Sequence, residues 1–234
     1  MIKLGIIGAM TVEVETLKAN IENLQTTQKA GMTFYEGTLE TLPVVVVVCG
    51  VGKVNAALCV QVLCDCFAVT HIVNTGVAGS LCAELDIGDF VISKDAMYHD
   101  FDSTALNYPI GQVPGLPVHR FQADAQLTEL AYSAAEQVYQ GHARIGTVAS
   151  GDQFVSDKTK KQQIIASTGG LCTEMEGAAI AHAAWKNSVP FVVIRAISDK
   201  ADDSAEMDYP TFEAIAAKRC AAVTQQMAKR LSER

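Results

Sequence analysis

Short runs of apolar residues alternate along the chain with longer segments in which apolar positions recur every three or four residues. The short runs are rich in β-branched residues and end at glycine, proline or polar residues, which is typical of buried strands. They cover residues 3–8, 44–49, 71–75, 89–93, 144–149 and 190–197. The helical spacing predicts helices over 11–23, 53–67, 124–139, 157–166, 176–187 and 210–231. Strands that alternate with helices predict an α/β fold with a mostly parallel sheet.

The pattern continues without a low-complexity linker or a repeat of fixed period, so we expect one domain over residues 1–234. The stretch 99–119 differs, because it has no clear periodicity and holds three of the six prolines. A loop of this length inside a compact domain is more often a functional or interface segment than a simple connection.

Composition narrows the class of protein. Of the 234 residues, 49% are hydrophobic, enough to fill a sizeable core. The formal net charge is −8 and no basic cluster exceeds Lys158, Lys160 and Lys161, which argues against nucleic acid and anionic membrane as partners. The longest apolar run falls short of the roughly 20 residues that span a bilayer, and Glu13 and Glu15 interrupt any signal-like start. Seven cysteines, mostly inside apolar runs, favour reduced thiols and a cytoplasmic location.

Polar and glycine-rich groups follow most of the predicted strands. Ligands of open α/β sheets bind beyond the carboxyl ends of the strands, so these groups are the candidate site. They are Met10 and Glu13; Gly50, Val51 and Gly52; Gly76, Val77, Ala78 and Gly79; Ser150, Gly151, Asp152, Gln153 and Phe154; Glu174, Met175 and Glu176; and Ser198 and Asp199. None contains a cysteine or histidine pair at metal-ligand spacing, and we predict no metal site.

Two of these groups have alternative interpretations. The turn before Glu13 lacks the full dinucleotide fingerprint, which favours a simple strand-to-helix turn over a phosphate loop, with Glu13 in the first helical turn. The small residues of "NTGVAGS", residues 74–80, admit either a ligand at the backbone or a close strand crossing.

The last predicted strand ends in charged residues. Arg195 lies within an apolar run and needs a partner, which a carboxylate at the same sheet edge can supply. Asp199 follows this run, where partial burial would raise its pKa and suit it to donate a proton near neutral pH. The alternative is a helix N-cap aspartate.

Glu174 and Glu176 flank Met175 just before the predicted helix in "TEMEGAAIAHAAW". At the N-terminus of that helix, the dipole and the free amides are expected to hold the Glu176 carboxylate ionised. An ionised acceptor suits the binding of hydroxyl pairs. A capping role would explain only one of the two carboxylates.

Six blocks, taken in order, resemble the motif series of one enzyme family: "GIIGAM" with Glu13, "GVGKVNAA", "NTGVAGS", "SGDQFV", "EMEGAAIAH" and "VIRAISDKAD". The family is that of the 5'-methylthioadenosine/S-adenosylhomocysteine nucleosidases, in the purine nucleoside and uridine phosphorylase superfamily. The resemblance covers residues 3 to about 230. It implies a three-layer α/β/α sandwich with a central mixed β-sheet, a homodimer, and a place in methionine salvage and the methyl cycle. The implied reaction is hydrolysis of the N-glycosidic bond of methylthioadenosine, S-adenosylhomocysteine and 5'-deoxyadenosine, with no cofactor.

The resemblance implies that Asp199 protonates N7 of the departing adenine and that Glu13 holds and deprotonates the attacking water. Arg195 would support the water and carboxylate network, and Ser198 would orient Asp199. Cleavage of an N-glycosidic bond needs an acid and a base on opposite faces. We therefore expect a high pKa for Asp199 and a low pKa for Glu13.

The same resemblance assigns the substrate contacts. Glu176 would bind the ribose hydroxyls, with Met175 lining the sugar and Glu174 adjoining it. Phe154 would stack on the purine, and Val155 would contact its edge. The other implied lining residues are Met10, Val51, Val77, Ala78 and Gly79.

Two positions depart from the family pattern. Val77 stands where some members have a serine near the water, so we expect the water to rely on Glu13 and Arg195. Ser103, Leu106 and Pro114 resemble the segment that the neighbouring subunit lends to cover the 5'-alkylthio group. Ser103 is more polar than the usual residue, which leaves the preferred 5' substituent open.

Three rival functions remain at this point. A phosphate-dependent nucleoside phosphorylase would need arginines near the first turn, whereas residues 1–119 contain no arginine and Glu13 would repel the anion. A futalosine or aminodeoxyfutalosine hydrolase would use a similar site. A non-catalytic nucleoside-binding module would be expected to lack Glu13 or Asp199, and both are present.

Overall fold

In the computed structural model, which describes residues 2–233, ten strands form one sheet with six helices packed against it. The strands are β1 (Leu4–Gly8), β2 (Glu22–Lys29), β3 (Met32–Leu39), β4 (Leu42–Val48), β5 (His71–Ser80), β6 (Phe90–Tyr98), β7 (Phe121–Gln122), β8 (Ala143–Ser150), β9 (Cys172–Glu174) and β10 (Phe191–Asp199). The helices are α1 (Thr11–Ala19), α2 (Lys53–Phe67), α3 (Ala125–Val138), α4 (Lys158–Thr168), α5 (Gly177–Lys186) and α6 (Ala205–Ser232).

The sheet is mixed. Its strand order is β10-β6-β8-β9-β5-β1-β4-β3-β2, and β10 also pairs with β5. The central pairs β1–β4, β1–β5 and β5–β10 are parallel. Antiparallel pairing joins β10 to β6, β9 to β5, and β2 to β3 to β4. The prediction of a mixed sheet is confirmed, and the mostly parallel sheet expected from element order alone is wrong in these antiparallel parts.

Two buried clusters lie on opposite faces of the sheet and make the three layers. Successive residues of a strand point to opposite faces, so Ile6 of β1 packs with α1, α3 and α6, whereas Ile7 packs with α2 and α5. Both side chains are fully buried. The continuous apolar runs of the central strands therefore supply both cores.

Each predicted strand and helix is present, but four strands, β2, β3, β7 and β9, are missing from the sequence prediction. The first helix ends at Ala19, and β2 begins at Glu22 inside the segment predicted as helix. All eight residues of β2 are exposed, so the strand carries no hydrophobic alternation and is held by its pairing with β3.

Four strands end later than predicted: β5 at Ser80, β6 at Tyr98, β8 at Ser150 and β10 at Asp199. In β10, a register irregularity between Ile197 and Asp199 lies opposite Ala78 and Gly79. Irregularities of this kind redirect side chains beside active sites.

The long loop 99–119 contains one 3-10 turn, Thr104–Leu106. Across residues 2–233, every helix is too short or too polar to cross a bilayer.

Candidate active site

A cavity opens at the carboxyl ends of β1, β5 and β10 and is completed by the segments that follow β4, β8 and β9. Its lining residues are Ala9, Met10, Glu13, Val51, Val77, Ala78, Gly79, Gln153, Phe154, Val155, Thr173, Glu174, Met175, Glu176, Ser198, Asp199 and Tyr209. The lining thus includes all but four of the residues to which the resemblance assigns a role. Arg195 lies buried beside the cavity, and Ser103, Leu106 and Pro114 lie outside this lining.

Glu13 projects from the first turn of α1 back toward the end of β1. Its Oε2 accepts the N–H groups of Ala9 (2.7 Å) and Met10 (3.0 Å), and its Oε1 accepts the N–H of Val77 (3.0 Å). The side chain is therefore held between β1 and β5 and not solvated, as a simple first-turn glutamate would be. Burial raises the pKa of Glu13 despite these bonds and the nearby charge of Arg195. The low pKa expected for Glu13 is thus wrong, since desolvation exceeds the opposing effects.

Gly76 leaves room between Glu13 and Arg195. A Cβ on Gly76 would collide with Oε1 of Glu13 and would lie 2.7 Å from Nη1 of Arg195. Nη1 of Arg195 is buried and forms no hydrogen bond within the described part of the chain. The small residue in "NTGVAGS" therefore serves the approach of two charged side chains.

Asp199 ends β10 with its carboxyl group at the cavity. Its Oδ2 accepts the Ser198 hydroxyl (2.8 Å), and its Oδ1 accepts the N–H of Ala201 (2.8 Å). Burial raises the pKa of Asp199 although both bonds act in the opposite direction, which agrees with the sequence-based expectation. The N-cap alternative is wrong, because α6 begins at Ala205.

Glu174 and Arg195 form an ion pair beside the cavity, and both side chains are almost fully buried. Glu174 also accepts the Ser150 hydroxyl and the N–H groups of Glu176 (3.1 Å) and Gly177 (2.7 Å). Burial alone would raise the pKa of Glu174, but the Arg195 charge and these donors keep it below its usual value. Glu174 is therefore the carboxylate that accepts hydrogen bonds from the free N–H groups at the start of α5.

Glu176 has a different environment from the one its sequence position suggested. It is the N-cap residue of α5, yet its side chain makes no capping bond. Its Oε1 accepts the N–H of Gly52 (2.7 Å) at the start of α2. Burial and the neighbouring charge of Glu174 raise the pKa of Glu176 to about 8. The expectation that the helix amides hold Glu176 ionised is wrong, because Glu174 accepts those amides.

An aromatic pair lies at one side of the cavity. Phe154, half-exposed, meets the ring of Tyr209 edge-on with 5.5 Å between centroids. The Tyr209 hydroxyl lies 3.3 Å from Sδ of Met10 and donates to Glu213 (3.0 Å). Sequence reasoning missed Tyr209 because it comes from α6 and follows no strand. It missed Thr173 as well, which belongs to the three-residue strand β9.

The lining carries four carboxyl groups and no lysine or arginine. Arg195, buried beside the cavity, is paired with Glu174 and donates to Oδ1 of Asn74 (2.5 Å). Among residues 2–233, no group of three or more histidine, cysteine, aspartate or glutamate side chains is arranged to hold a metal ion. The arrangement can supply a proton donor, a proton acceptor and acceptors for hydroxyl groups.

Comparisons with known proteins show the family of this chain. Residues 3–229 match the family model described as the phosphorylase superfamily. The 5'-methylthioadenosine/S-adenosylhomocysteine nucleosidase of Staphylococcus carnosus is 38% identical over 97% of this chain and 100% of its own.

Solved structures show the same similarity. S-adenosylhomocysteine nucleosidase from Streptococcus pyogenes, in complex with 5-methylthiotubericidin, superimposes with a TM-score of 0.94 at 36% identity, covering 98% of this chain and 97% of its own. Futalosine hydrolase of Helicobacter pylori gives a TM-score of 0.93 at 30% identity, covering 98% of each chain.

Proposed function

The chain belongs to the 5'-methylthioadenosine/S-adenosylhomocysteine nucleosidase family of the phosphorylase superfamily, and we propose that it hydrolyses the N-glycosidic bond of these adenine thionucleosides. The products are adenine and the 5-substituted ribose, and 5'-deoxyadenosine is a further substrate. The observation that carries this proposal is the placement of two buried carboxyl groups, Glu13 and Asp199, on one cavity with raised pKa values.

The two carboxyl groups divide the chemistry. As the bond between C1' and the base breaks, its electron pair goes to the base, and Asp199 donates its proton to N7. Water adds through its oxygen to C1' and gives a proton to Glu13. A base works best with a pKa near the operating pH, so the raised pKa of Glu13 suits this role better than the low value expected from sequence.

The substrate contacts follow from the lining. Glu176 accepts hydrogen bonds from the ribose hydroxyls, with Met175 beside the sugar, while Phe154 and Val155 hold the adenine. Ser198 orients Asp199, to which it is hydrogen-bonded. The other lining positions that contact substrate are Met10, Val51, Val77, Ala78 and Gly79.

Glu174 and Arg195 form a buried ion pair beside the substrate contacts. Their ion pair anchors the start of α5 and presents Nη1 of Arg195 toward Glu13, where it supports the water. Because Val77 offers only its N–H, which Glu13 accepts, the water depends on these two charged side chains.

Charge favours water over phosphate as the nucleophile. A phosphate beside Glu13 would meet four carboxyl groups, and the positive charge of Arg195 is already balanced by Glu174. Binding of an oxyanion normally uses arginine or lysine charges that no carboxylate neutralises. We therefore place the protein with the hydrolases and not with the phosphorylases.

The test is the release of adenine from methylthioadenosine in phosphate-free buffer. We expect stoichiometric adenine and free 5-methylthioribose. A requirement for phosphate, or ribose 1-phosphate as product, would contradict the proposal. Futalosine and aminodeoxyfutalosine belong in the same panel, because a futalosine hydrolase shares the fold; faster cleavage of these compounds than of methylthioadenosine would reassign the substrate.

A homodimer completes the proposed site. Val51, Val54 and Leu58 are at least 48% exposed along the start of α2, and Leu106 in the long loop is 66% exposed. An apolar surface of this kind is typical of an interface. We assign the occupant as a second copy of this chain, whose Ser103, Leu106 and Pro114 cover the 5'-alkylthio group.

Leu58→Asp tests the dimer. Sedimentation should show a dimer for the unaltered protein and a monomer for the variant, with a raised KM for methylthioadenosine. Val138→Asp, at an exposed aliphatic position on α3, is the matched control. A monomeric unaltered protein with full activity would contradict the dimer.

The unpaired cysteines are consistent with a reducing cytoplasm, where we place the enzyme.

A further inference from the structure

The turn at the start of α2 presents two consecutive N–H groups to two different carboxylates. Gly52 donates to Oε1 of Glu176 (2.7 Å), and Lys53 donates to Oδ1 of Asp152 (2.9 Å). Gly52 has a φ of 99°, and a Cβ there would lie 3.3 Å from Oδ1 of Asp152. The free amides of a helix N-terminus favour anionic acceptors. One turn therefore contacts both Glu176 and the loop that contains Asp152.

Asp152 is also bound to a third segment. Its N–H donates to Oδ2 of Asp100 (2.8 Å), and the same oxygen accepts Nζ of Lys53 (2.6 Å). Nζ of Lys53 lies 3.5 Å from Oδ2 of Asp152. We call Lys53, Asp100 and Asp152 the Asp152 cluster. It joins α2, the segment after β6 and the loop after β8.

The loop after β8 contains Asp152 of the cluster and also forms part of the cavity wall. Phe154 and Val155 follow Asp152 by two and three residues and line the cavity. They lie between the end of β8 and the start of α4, outside regular secondary structure. Their position therefore depends on polar contacts such as those of Asp152, and charge-assisted hydrogen bonds are the stronger kind.

We infer that Asp152 is a positioning residue that fixes the loop carrying Phe154 and Val155 relative to Glu176, through the start of α2. The inference rests on the proposed function, in which Phe154 and Val155 hold the adenine and Glu176 holds the ribose. Asp152 does not line the cavity and acts through the other residues. Its loss weakens substrate binding more than the chemical step.

The test is Asp152→Asn in the full-length protein, with methylthioadenosine as substrate. We expect KM to rise about tenfold while kcat changes less than about threefold, because ground-state contacts are loosened and the proton donors are retained. Lys53→Met, which removes Nζ from both carboxylates, should change KM in the same direction. Thermal unfolding of each variant checks that the fold is intact, and half of the Asp152 side chain is exposed.

A double variant separates positioning from a general structural effect. If Asp152 acts through Phe154, then Asp152→Asn added to Phe154→Ala should raise KM by less than about twofold beyond Phe154→Ala alone. Glu36→Gln is the matched control, because it removes the acidic half of another partly exposed ion pair. That pair joins Glu36 to Lys3, the residue before β1. KM of this control should equal that of the unaltered protein.

The outcomes are distinct. An unaltered protein that releases no adenine overturns the proposed function. An active unaltered protein overturns this inference alone if Asp152→Asn keeps KM within about twofold of the unaltered value, or if the effects of Asp152→Asn and Phe154→Ala multiply in full.

Discussion

Arg195 of β10 and Glu174 of β9 form an ion pair in which the two side chains are only 2% and 3% exposed. The pair joins two strands that both border β5, and it places a guanidinium beside Glu13. Buried charges of this kind are retained only with partners, so each residue depends on the other. The pair is the structural centre of the carboxylate network.

Glu174→Gln should lower the free energy of unfolding by about 3 kcal/mol, because it leaves the buried Arg195 without its nearest counter-charge. The double variant Glu174→Gln/Arg195→Met should lose less than the sum of the two single variants. Urea unfolding measures both. Glu36→Gln, which breaks a partly exposed pair with Lys3, should cost less than about 1 kcal/mol. If the losses of stability from Glu174→Gln and Arg195→Met add strictly, the pair is not coupled.

Asp199→Asn should reduce kcat at least about 100-fold, because an amide cannot donate the proton that the leaving adenine needs. The dissociation constant for adenine should change less than about threefold, since the side chain keeps its size. Steady-state kinetics and calorimetry measure the two quantities. A variant that retains most of its turnover would remove Asp199 from the acid role.

Ser198→Ala should move one side of the pH profile of kcat/KM. Burial raises the pKa of Asp199, while the Ser198 hydroxyl lowers it by donating to the ionised carboxylate. In the proposed reaction Asp199 acts protonated, so activity should fall as the pH rises above its pKa, and loss of the hydroxyl should shift that fall to higher pH. The acidic side depends on ionisation of Glu13 and should stay in place; a downward shift of the alkaline side would contradict the assignment.

Gly76→Ala should abolish most turnover, because the added methyl group would collide with Oε1 of Glu13 and approach Nη1 of Arg195 to 2.7 Å. We expect a fall in kcat of at least about tenfold with KM less affected. Gly5→Ala, on the adjacent strand β1, is the control, because its methyl group meets only side-chain methyl groups, of Leu63 at 3.2 Å and of Val69 at 3.4 and 3.5 Å. Equal kinetics for both variants would show that the space at Gly76 is not needed.

Much of the fold follows from local pattern. The runs at residues 44–49 and 190–197 become β4 and β10, since their apolar residues fill cores on both faces of the sheet. Strand β2 could not be predicted in the same way. Its residues are exposed, and only its pairing with β3 makes it a strand.

The strand-end rule identified most of the lining, because parallel strands bring their carboxyl ends to one edge. It could not identify Tyr209, which reaches the cavity from α6. Nor could it assign the acceptor of the α5 amides. Glu174 and Glu176 are two residues apart, and the contacts of Glu174 with Arg195 and of Glu176 with Gly52 join residues far apart in the sequence.

The sequence by itself determined the class of fold, the sheet edge that carries the cavity, and most of the residues that line it, because periodicity and the ends of strands are local properties. Only the tertiary structure decided the direction in which the pKa of each carboxyl group is shifted. The pKa of Glu13 is raised by burial against β5 and Arg195, and the pKa of Glu176 by burial beside Glu174. Desolvation and charge pairing depend on which distant segments meet, and that is a property of the folded chain.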